Sequence, residues 1–444
     1  KAEAKVVGKS SPKWTEKTIE EFEAGEDFFQ ATYWDGNMPK AAKKAWLATE
    51  PIIPGPLDFS VKLPVLPWSA ESPTLYDVEY VLTDPSGKVV QTATQRVGFR
   101  RVEIKGNELL LNGQPIIFYG INRHDFNKRT GRVISKDDYR ADLLALKKYN
   151  FNAVRTSHYP NDPAFLDLCD ELGFYVIDEA NIETHAFQNQ LCDDQKYLSQ
   201  WVDRIARMVQ RDIHHASAVM WSLGNESGAG LNHRAAAAYV RSFDSTRPLH
   251  YEPAMGSPEK QGYIDPSNPA YLKSNDHSHR IQNPLDQYYV DVISRMYPAL
   301  YTAPLLANQK NGDKRPIFFC EYAHAMGNSC GNLTDFWNQW KNTPRIIGGC
   351  IWEFKDQGLL KKDSEGHLYF AYGGDYGEKY FDNFTIKGIV TPDGIPKSPM
   401  YECKRIFQPI QCSINKGNLV IENNSASVNT GIYDVTITIT KNGQ

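Results

Sequence analysis

No apolar run in the sequence reaches the about 18 residues of a membrane-spanning helix, and the first residues, KAEAKVVGKSS, lack the apolar core of a signal peptide. We therefore expect no membrane partner. The chain begins at Lys1 rather than methionine, so a removed export signal stays open. The compartment is unassigned, with the cytoplasm slightly favoured over the periplasm or secretion.

Blocks of like charge and CxxC pairs are also missing. Lys and Arg number 49 against 53 Asp and Glu, which gives a net charge of −4 and no basic stretch that would attract a nucleic-acid backbone. The seven cysteines are an odd number without zinc or redox spacing, so we expect mostly buried thiols. These absences exclude nucleic-acid binding and a disulfide-stapled small domain.

What is present is ordinary globular composition in a long chain. The 444 residues are about three times the length expected for one domain, and 41% are hydrophobic and 23% charged. This balance excludes a disordered chain. A large domain with at least one smaller companion is predicted.

Residues 1–103 are predicted to contain a small antiparallel β-sandwich, although residues 1–50 are hard to assign. From Leu57 the apolar residues alternate, and Asp84-Pro85-Ser86-Gly87 is a turn signal between two such runs. A hairpin follows, in which Asn112-Gly113 suits a type I′ turn. The change of pattern near residue 103 marks the predicted domain boundary.

Residues 104–408 alternate short apolar runs with helical patterns. The run IIFYGIN precedes a helix with Ser135 as its expected N-cap, and seven more strand candidates follow. Eight strands within about 250 to 300 residues fit the size and rhythm of an α/β fold of the (β/α)₈ TIM-barrel type. A doubly wound parallel sheet is the alternative.

Residues 409–444 turn to β pattern again, in NLVIENN and YDVTITITKNGQ. Asn442-Gly443 is a strong hairpin signal, yet only Gln444 follows it. We expect the beginning of a truncated β-sandwich domain and a chain that is a fragment of a longer protein.

Polar side chains gather where the predicted barrel strands end, which is the face that carries the active site in such barrels. Seven of the eight strands contribute to this set, which solubility alone does not explain. Its members include His124, Ser157, His158, Tyr159, Asp178, Glu179, Asn181, Glu183, His185, Asn225, Glu226, Tyr297, Glu321, His324 and Trp352.

Glu226 and Glu321 are the strongest catalytic candidates, because each follows an apolar strand. A pair of carboxylates is what glycosidases use, with a separation that depends on whether they retain or invert configuration. Glu183-x-His185 places two ligand-type side chains on one side of an extended segment, where a further carboxylate would complete a site for a hard cation such as Mg²⁺. The alternatives are ion pairs at a barrel rim and surface polar groups.

Several long motifs resemble one family. The segments GINRHDF, FNAVRTSHYPN, DEANIETH, RMVQRD, WSLGNESG, RPIFFCEYAHAMGNS and YGGDYG stand in this order, and PWSAESPTLYDVEYVL precedes them. They closely resemble the large bacterial β-galactosidases of glycoside hydrolase family 2, from about residue 57 to 410. The resemblance implies an immunoglobulin-like domain followed by a catalytic TIM barrel.

The resemblance also implies roles for the site residues. Glu226 would be the acid/base and Glu321 the nucleophile of a retaining exo-β-galactosidase that acts on terminal β-D-galactose. Tyr297 would contact the nucleophile, and Asn225 would bond the sugar 2-hydroxyl. Galactose binding is implied for His124, His158, His324 and Trp352. Magnesium binding is implied for Glu183, His185 and Glu226.

Three departures from the family pattern affect what the resemblance implies. The family's sugar-binding jelly-roll domain has no counterpart in residues 1–50, and its large C-terminal domain is absent beyond Gln444. The family's sodium ion is held partly by a backbone carbonyl, matched by Phe384, and by an asparagine whose position carries Lys387. An ammonium there would replace the ion, so Na⁺ is not expected.

Other functions stay open at this point. β-Glucuronidases and β-mannosidases share the fold and the two glutamates. A glucuronidase needs a cationic contact for the substrate carboxylate, and Lys387 keeps that alternative open. A non-catalytic carbohydrate-binding protein is the alternative from another class. A homo-oligomer of the full-length protein is also left open.

Overall fold

The computed structural model describes residues 62–187, 189–255, 286–308, 312–379, 381–436, 438 and 440. These residues fall into two compact units: residues 62–65 with 76–96, and residues 66–75 with 97–440. Within the described part of the chain, no helix is both long enough and apolar enough to cross a membrane. The predicted domain boundaries at residues 103 and 408 stay a prediction.

The smaller unit contains a two-stranded sheet of β1 (Tyr76–Thr83) and β2 (Val89–Val97). The predicted turn between them is confirmed, because the Asp84 carboxylate accepts hydrogen bonds from the backbone N–H groups of Ser86 and Lys88 at 2.9 and 3.0 Å. The rest of the predicted sandwich falls on residues 1–61, outside the described residues. Its immunoglobulin-like character stays a prediction.

The larger unit begins with a three-stranded antiparallel sheet of β3 (Val102–Lys105), β4 (Glu108–Leu111) and β5 (Gln114–Pro115). The expected turn joins β4 to β5. Asn112 and Gly113 have φ values of 53° and 83°, and a type I′ turn requires positive φ at both positions. This meander leads directly into the barrel.

Eight parallel strands form the barrel. They are β6 (Phe118–Asn122), β7 (Ala153–Arg155), β8 (Tyr175–Glu179), β9 (Ala218–Ser222), β10 (Leu249–His250), β11 (Ile293–Met296), β12 (Ile317–Glu321) and β13 (Ile346–Ile351). Their spatial order is β10-β9-β8-β7-β6-β13-β12-β11. The first strand therefore pairs with the last, with Tyr119 opposite Gly349. That pairing makes a nearly closed barrel, in which only β10 and β11 are not hydrogen-bonded to each other among the described residues, and it excludes the doubly wound alternative.

Helices connect the strands. They are α1 (Lys136–Lys148), α2 (Pro163–Leu172), α3 (Asn189–Cys192), α4 (Leu198–Asp212), α5 (Leu231–Phe243), α6 (Thr302–Ala307), α7 (Leu333–Trp340) and α8 (Ser398–Ile406), with 3₁₀ turns at Gln195–Tyr197 and Thr430–Ile432. Ser135 caps α1 as predicted, and its hydroxyl accepts from the Asp138 N–H while the Asp138 carboxylate accepts from the Ser135 N–H. These caps satisfy backbone donors that a helix start leaves open.

The core lies on both sides of the strands. Phe118, Ile177 and Phe318 belong to a buried cluster of strand residues, while Leu143 and Phe165 of α1 and α2 are buried between helices and strands. The expected buried thiols are found among the core residues. Five free cysteines are buried: Cys169, Cys192, Cys320, Cys350 and Cys403. The barrel is thus a packed scaffold whose strand ends can hold side chains in fixed positions.

Two hairpins follow the barrel strands in the chain: β14 (Leu359–Lys362) with β15 (Leu368–Ala371), and β16 (Ile410–Asn415) with β17 (Asn418–Asn423). β17 confirms the strand predicted in NLVIENN. The described residues of the second segment, YDVTITIT, form no strand, contrary to the prediction. The Asn442-Gly443 hairpin signal lies outside the described residues.

Candidate active site

The predicted site residues meet at the carboxyl ends of the barrel strands. Glu321 is the last residue of β12, Tyr297 directly follows β11, and His124 follows β6. His158 comes after β7, and Asn225 and Glu226 come after β9. Parallel strands place these side chains at one rim, so His158 Nε2 and Glu321 Oε1 lie 3.9 Å apart although the two residues are distant in the chain.

Glu321 is a buried carboxylate that is held at both oxygens. Its residue is 4% exposed, its Oε1 accepts a hydrogen bond of 2.9 Å from Arg155 Nη1, and its Oε2 accepts from the Tyr297 hydroxyl. Burial, together with the neighbouring charge of Glu321, raises the pKa of Tyr297 well above its ordinary value. The tyrosine therefore stays protonated and acts as a donor that fixes this carboxylate.

Arg155 and Glu179 form the centre of the site, and the sequence did not assign either a role there. Arg155 Nε and Nη2 donate to Glu179 at 2.7 and 3.0 Å, and both side chains are fully buried. Burial alone would raise the pKa of Glu179, but Arg155, His158 and Ser222 outweigh it and lower that pKa to about 2. Glu179 therefore stays ionised and compensates the buried guanidinium beside Glu321.

This arrangement predicts a large stability effect for Glu179→Gln. Removing one partner of a buried pair leaves the charge of Arg155 less compensated, which costs about 3 to 5 kcal/mol in the free energy of unfolding. The folded pKa of about 2 lies below the ordinary 4.5, so the carboxylate stabilises the fold above pH 4.5 and loses this effect as the pH falls toward 2.

Urea unfolding of both proteins between pH 7 and pH 3 tests this prediction. The difference in the free energy of unfolding between the parent chain and Glu179→Gln should be largest at neutral pH and should become smaller as the pH falls. A gap below about 1 kcal/mol at pH 7, or one that widens in acid, would show that Glu179 does not compensate Arg155.

Asn225 and Glu226 occupy the loop after β9. Asn225 Oδ1 accepts from Arg155 Nη2 at 2.8 Å, and its Nδ2 donates to Glu183 Oε2 at 2.7 Å. The side chain of Glu226 is 30% exposed, in contrast to that of Glu321 at 6%. The charge of Glu226 contributes to the raised pKa of Tyr297, after burial and the charge and hydrogen bond of Glu321.

The predicted magnesium ligands lie on neighbouring segments. A backbone bridge pairs Glu183 with Asn225, and His185 Nε2 lies 3.5 Å from Glu226 Oε2. Two carboxylates and an imidazole suit Mg²⁺ when water completes its shell. Among the described residues, no group of three such side chains already converges on one point. Glu183, His185 and Glu226 carry donor atoms that suit Mg²⁺. To bind one ion together, their side chains must move toward each other.

Aromatic and imidazole rings form one wall of the site. His158 stacks on Trp352 with a ring separation of 5.0 Å and an angle of 13°, and His124 meets Trp352 edge-on at 5.3 Å. His158 Nδ1 lies 2.6 Å from Glu179 Oε1, and His124 Nδ1 lies 2.5 Å from Glu353 Oε2. Each histidine is thus oriented by a buried carboxylate. His158 Nε2 lies 3.4 Å from Asn225 Nδ2 and 3.9 Å from Glu321 Oε1, so this ring links the two sides of the site.

Glu353 is a third residue to which the sequence assigned no role. It is fully buried directly after Trp352, and its Oε1 accepts from Gln357 Nε2 at 2.9 Å. Burial would raise its pKa, but His124 and then Lys387 outweigh this and lower it. The sequence shows that Glu353 follows the end of a strand. Only the fold shows that its side chain turns toward His124.

His324 and Lys387 lie on the same side of the site. The His324 ring is 5.8 Å from that of Tyr297, and a backbone bridge pairs His324 with Trp352. The Lys387 ammonium lies 4.8 Å from the centre of the Trp352 ring and 3.7 Å from Glu353 Oε1. All the residues predicted for sugar binding therefore lie around Trp352 and Arg155.

The arrangement combines one buried, fixed carboxylate with one more exposed carboxylate beside a tyrosine. The first suits a nucleophile, because its position is set by Arg155 and Tyr297. The second suits an acid/base that exchanges protons with a leaving group and with water.

Two family models match this chain. A family model described as "Glycosyl hydrolases family 2, TIM barrel domain" matches residues 102–412, and a model described as "Glycosyl hydrolases family 2" matches residues 2–100. A protein named beta-galactosidase from Pectobacterium atrosepticum is 41% identical over 347 residues, which are 78% of this chain and 32% of that protein. One from Leuconostoc mesenteroides is 40% identical over 363 residues, 81% of this chain and 33% of that protein.

The chain thus spans about a third of the length of the curated relatives it matches. Solved structures show the same fold at lower identity. A GH2 beta-galacturonidase from Eisenbergiella tayi, bound to galacturonate, has a TM-score of 0.58 at 21% identity and covers 78% of this chain and 60% of its own. A b-glucuronidase from Ruminococcus gnavus has a TM-score of 0.58 at 20% identity, with 78% and 58% coverage.

Proposed function

The chain belongs to the glycosyl hydrolases of family 2, and on this basis we propose that it carries the catalytic site of a retaining exo-β-galactosidase. The proposed reaction is hydrolysis of terminal non-reducing β-D-galactose residues. The observation that carries the proposal is the pair of unequal carboxylates, with Glu321 fixed by Arg155 and Tyr297 and with Glu226 more open to solvent.

In the proposed first step, Glu321 attacks the anomeric carbon while Glu226 donates a proton to the departing oxygen. The bond between the anomeric carbon and the aglycone breaks, and a glycosyl ester of Glu321 forms. In the second step, Glu226 takes a proton from water, whose oxygen attacks the anomeric carbon and releases Glu321. Two displacements retain the configuration.

Arg155 and Tyr297 hold the carboxylate of Glu321 in a fixed position, because both donate to its oxygens. Asn225 is held by Arg155 and Glu183, and we assign it to the sugar 2-hydroxyl, where a bond that strengthens in the transition state lowers the barrier. His124, His158 and His324 donate to or accept from other hydroxyls. Trp352 supplies an apolar face for the sugar ring.

We also assign Glu183, His185 and Glu226 as ligands of Mg²⁺. The ion would hold Glu226 in place and tune its pKa. Calorimetric titration of Mg²⁺ into the chain should give one site, and Glu183→Gln should weaken that site about tenfold or more. Equal binding by both proteins, or none by the parent chain, would contradict this ligand set.

We do not extend the proposal to Na⁺, because Lys387 already supplies a positive charge.

Aryl β-glycosides test the proposed activity and its alternatives. The panel is the galactoside, glucuronide, mannoside and glucoside, with Mg²⁺ present. Preference for the galactose configuration supports the proposal, and preference for the glucuronide or the mannoside would replace it with that activity. Sugar binding without turnover of any member would favour the carbohydrate-binding alternative.

A further inference from the structure

A pair of carboxyl groups is buried between β8 and α4. Asp178 lies in β8, Asp212 is the last residue of α4, and both residues are fully buried. Successive strand side chains point to opposite faces, so Asp178 faces α4 while its neighbour Glu179 faces Arg155 inside the barrel. The side chains of Asp178 and Asp212 lie within hydrogen-bonding distance of each other. Two ionised carboxylates repel each other in such a contact, so the pair requires one proton.

The hydrogen bonds around the pair indicate which carboxyl group carries the proton. Arg211 Nε and Nη2 donate to the two oxygens of Asp212 at 2.7 and 2.8 Å. Asp178 Oδ1 accepts from the Thr156 hydroxyl at 3.2 Å, whereas Asp178 Oδ2 is buried and meets no donor among the described residues. A buried acceptor without a donor destabilises the fold. A proton on Oδ2 removes this penalty, because it makes that oxygen a donor to Asp212.

The charges around Asp178 favour its neutral form. Burial, and then the charge and hydrogen bond of Asp212, raise the pKa of Asp178 well above its ordinary value of 3.8. Arg211 acts in the opposite direction without outweighing them. Arg247, which precedes β10, and Cys169 of α2 also interact electrostatically with Asp178. Burial raises the pKa of the Cys169 thiol, so this group adds no charge at neutral pH.

The carboxyl pair is connected to the candidate active site through Thr156. The Thr156 hydroxyl, which donates to Asp178, also accepts from the backbone N–H of Glu179 at 2.8 Å. Glu179 in turn holds Arg155, and Arg155 donates to Glu321 at 2.9 Å. The end of β8 is therefore fixed on one face by the carboxyl pair and on the other face by the buried guanidinium.

We propose that Asp178 is a positioning residue, which keeps a proton at neutral pH and donates it in a hydrogen bond to Asp212. This bond fastens β8 to α4 and holds Glu179, and through it Arg155, at a fixed position. Asp178 faces away from the barrel interior and contacts no substrate. The positioning role rests on the proposed function, since turnover is its readout, whereas the protonation of Asp178 does not depend on it.

Urea unfolding as a function of pH tests the protonation. Asp178→Asn keeps a donor to Asp212 and an acceptor for Thr156, but it cannot titrate. The folded pKa of Asp178 lies above the unfolded value of 3.8, so between the two values the folded parent chain holds one more proton than the unfolded chain. From pH 5 upward, the unfolding equilibrium constant of the parent chain should rise about tenfold per pH unit relative to that of Asp178→Asn, until Asp178 ionises in the folded state.

Asp203→Asn is the matched acid-to-amide control, because Asp203 lies on the exposed face of α4 and pairs with Arg207 at 2.9 Å. Its pH dependence should follow that of the parent chain. The same pH dependence in Asp178→Asn and the parent chain would overturn the proposed protonation, and this comparison does not require catalytic activity.

Kinetics on an aryl β-galactoside test the positioning role. Asp178→Ala removes the bond to Asp212 and should lower kcat at least tenfold, with a smaller change in KM, whereas Asp178→Asn should restore most of kcat. Equal kcat in Asp178→Ala and the parent chain would overturn the positioning role, as would a loss in Asp178→Asn as large as that in Asp178→Ala. Absence of turnover by the parent chain would contradict the proposed function, and the unfolding comparison would still decide whether Asp178 carries the proton.

Discussion

Replacing Glu321 with glutamine should lower turnover of an aryl β-galactoside by about 10⁴-fold or more. The neutral amide cannot form the glycosyl ester, and two other buried carboxylates of the described site are held by other partners. Glu353 faces His124, and Glu179 is occupied by Arg155 and His158. We expect kcat to fall for substrates with every type of leaving group, since both steps of the reaction depend on the side chain of Glu321.

The fold should survive this change, which separates a chemical loss from unfolding. Arg155 keeps its two hydrogen bonds to Glu179, the amide oxygen can still accept from Arg155, and the Tyr297 hydroxyl can rotate to accept from the amide N–H. Glu171→Gln on the surface, where Glu171 bonds Arg140 at 3.0 Å, is the matched acid-to-amide control. Thermal unfolding should be similar in both variants. Near-normal turnover by Glu321→Gln would refute the nucleophile assignment.

Replacing Glu226 with glutamine should give a loss that depends on the leaving group. A general acid contributes about 10² to 10⁴-fold when the departing oxygen is a poor leaving group. A dinitrophenolate leaves without a proton, so the first step on that substrate should proceed at a nearly normal rate. The second step still needs a base, and the glycosyl intermediate should therefore accumulate.

Pre-steady-state kinetics distinguish these steps. With the dinitrophenyl galactoside, Glu226→Gln should show a burst of phenolate followed by slow turnover. With an alkyl galactoside, no burst should appear, because the first step is then limiting. Equal losses on both substrate classes, without a burst, would contradict the acid/base assignment and favour a purely structural role for Glu226.

The sequence was sufficient to predict the barrel because the signals were local and repeated. Apolar runs of β-strand length alternated with capped helices, and Ser135 and Asn112-Gly113 marked boundaries that the structure confirms. Glu226 and Glu321 could be predicted as catalytic candidates in the same way, since each follows an apolar strand in the sequence. The described residues of YDVTITIT form no strand, because alternation alone cannot supply a partner strand.

The contacts that organise the site were not predictable in this way. Arg155 lies in the strand sequence AVR and resembles a rim charge until the fold places it against Glu179, Glu321 and Asn225. Glu353 likewise becomes informative only when His124 is found beside it. Such contacts join residues far apart in sequence, and neither periodicity nor spacing encodes them.

The most direct test of the central claim is covalent trapping with 2,4-dinitrophenyl 2-deoxy-2-fluoro-β-D-galactoside. Fluorine at C2 slows both displacements, and the activated leaving group lets the first one proceed, so the glycosyl intermediate persists. Peptide mapping should place one sugar on Glu321, and Glu321→Gln should stay unlabelled. A label on Glu226 or Glu353 would contradict the account, as would steady hydrolysis of the unfluorinated galactoside with inversion and no trapped ester.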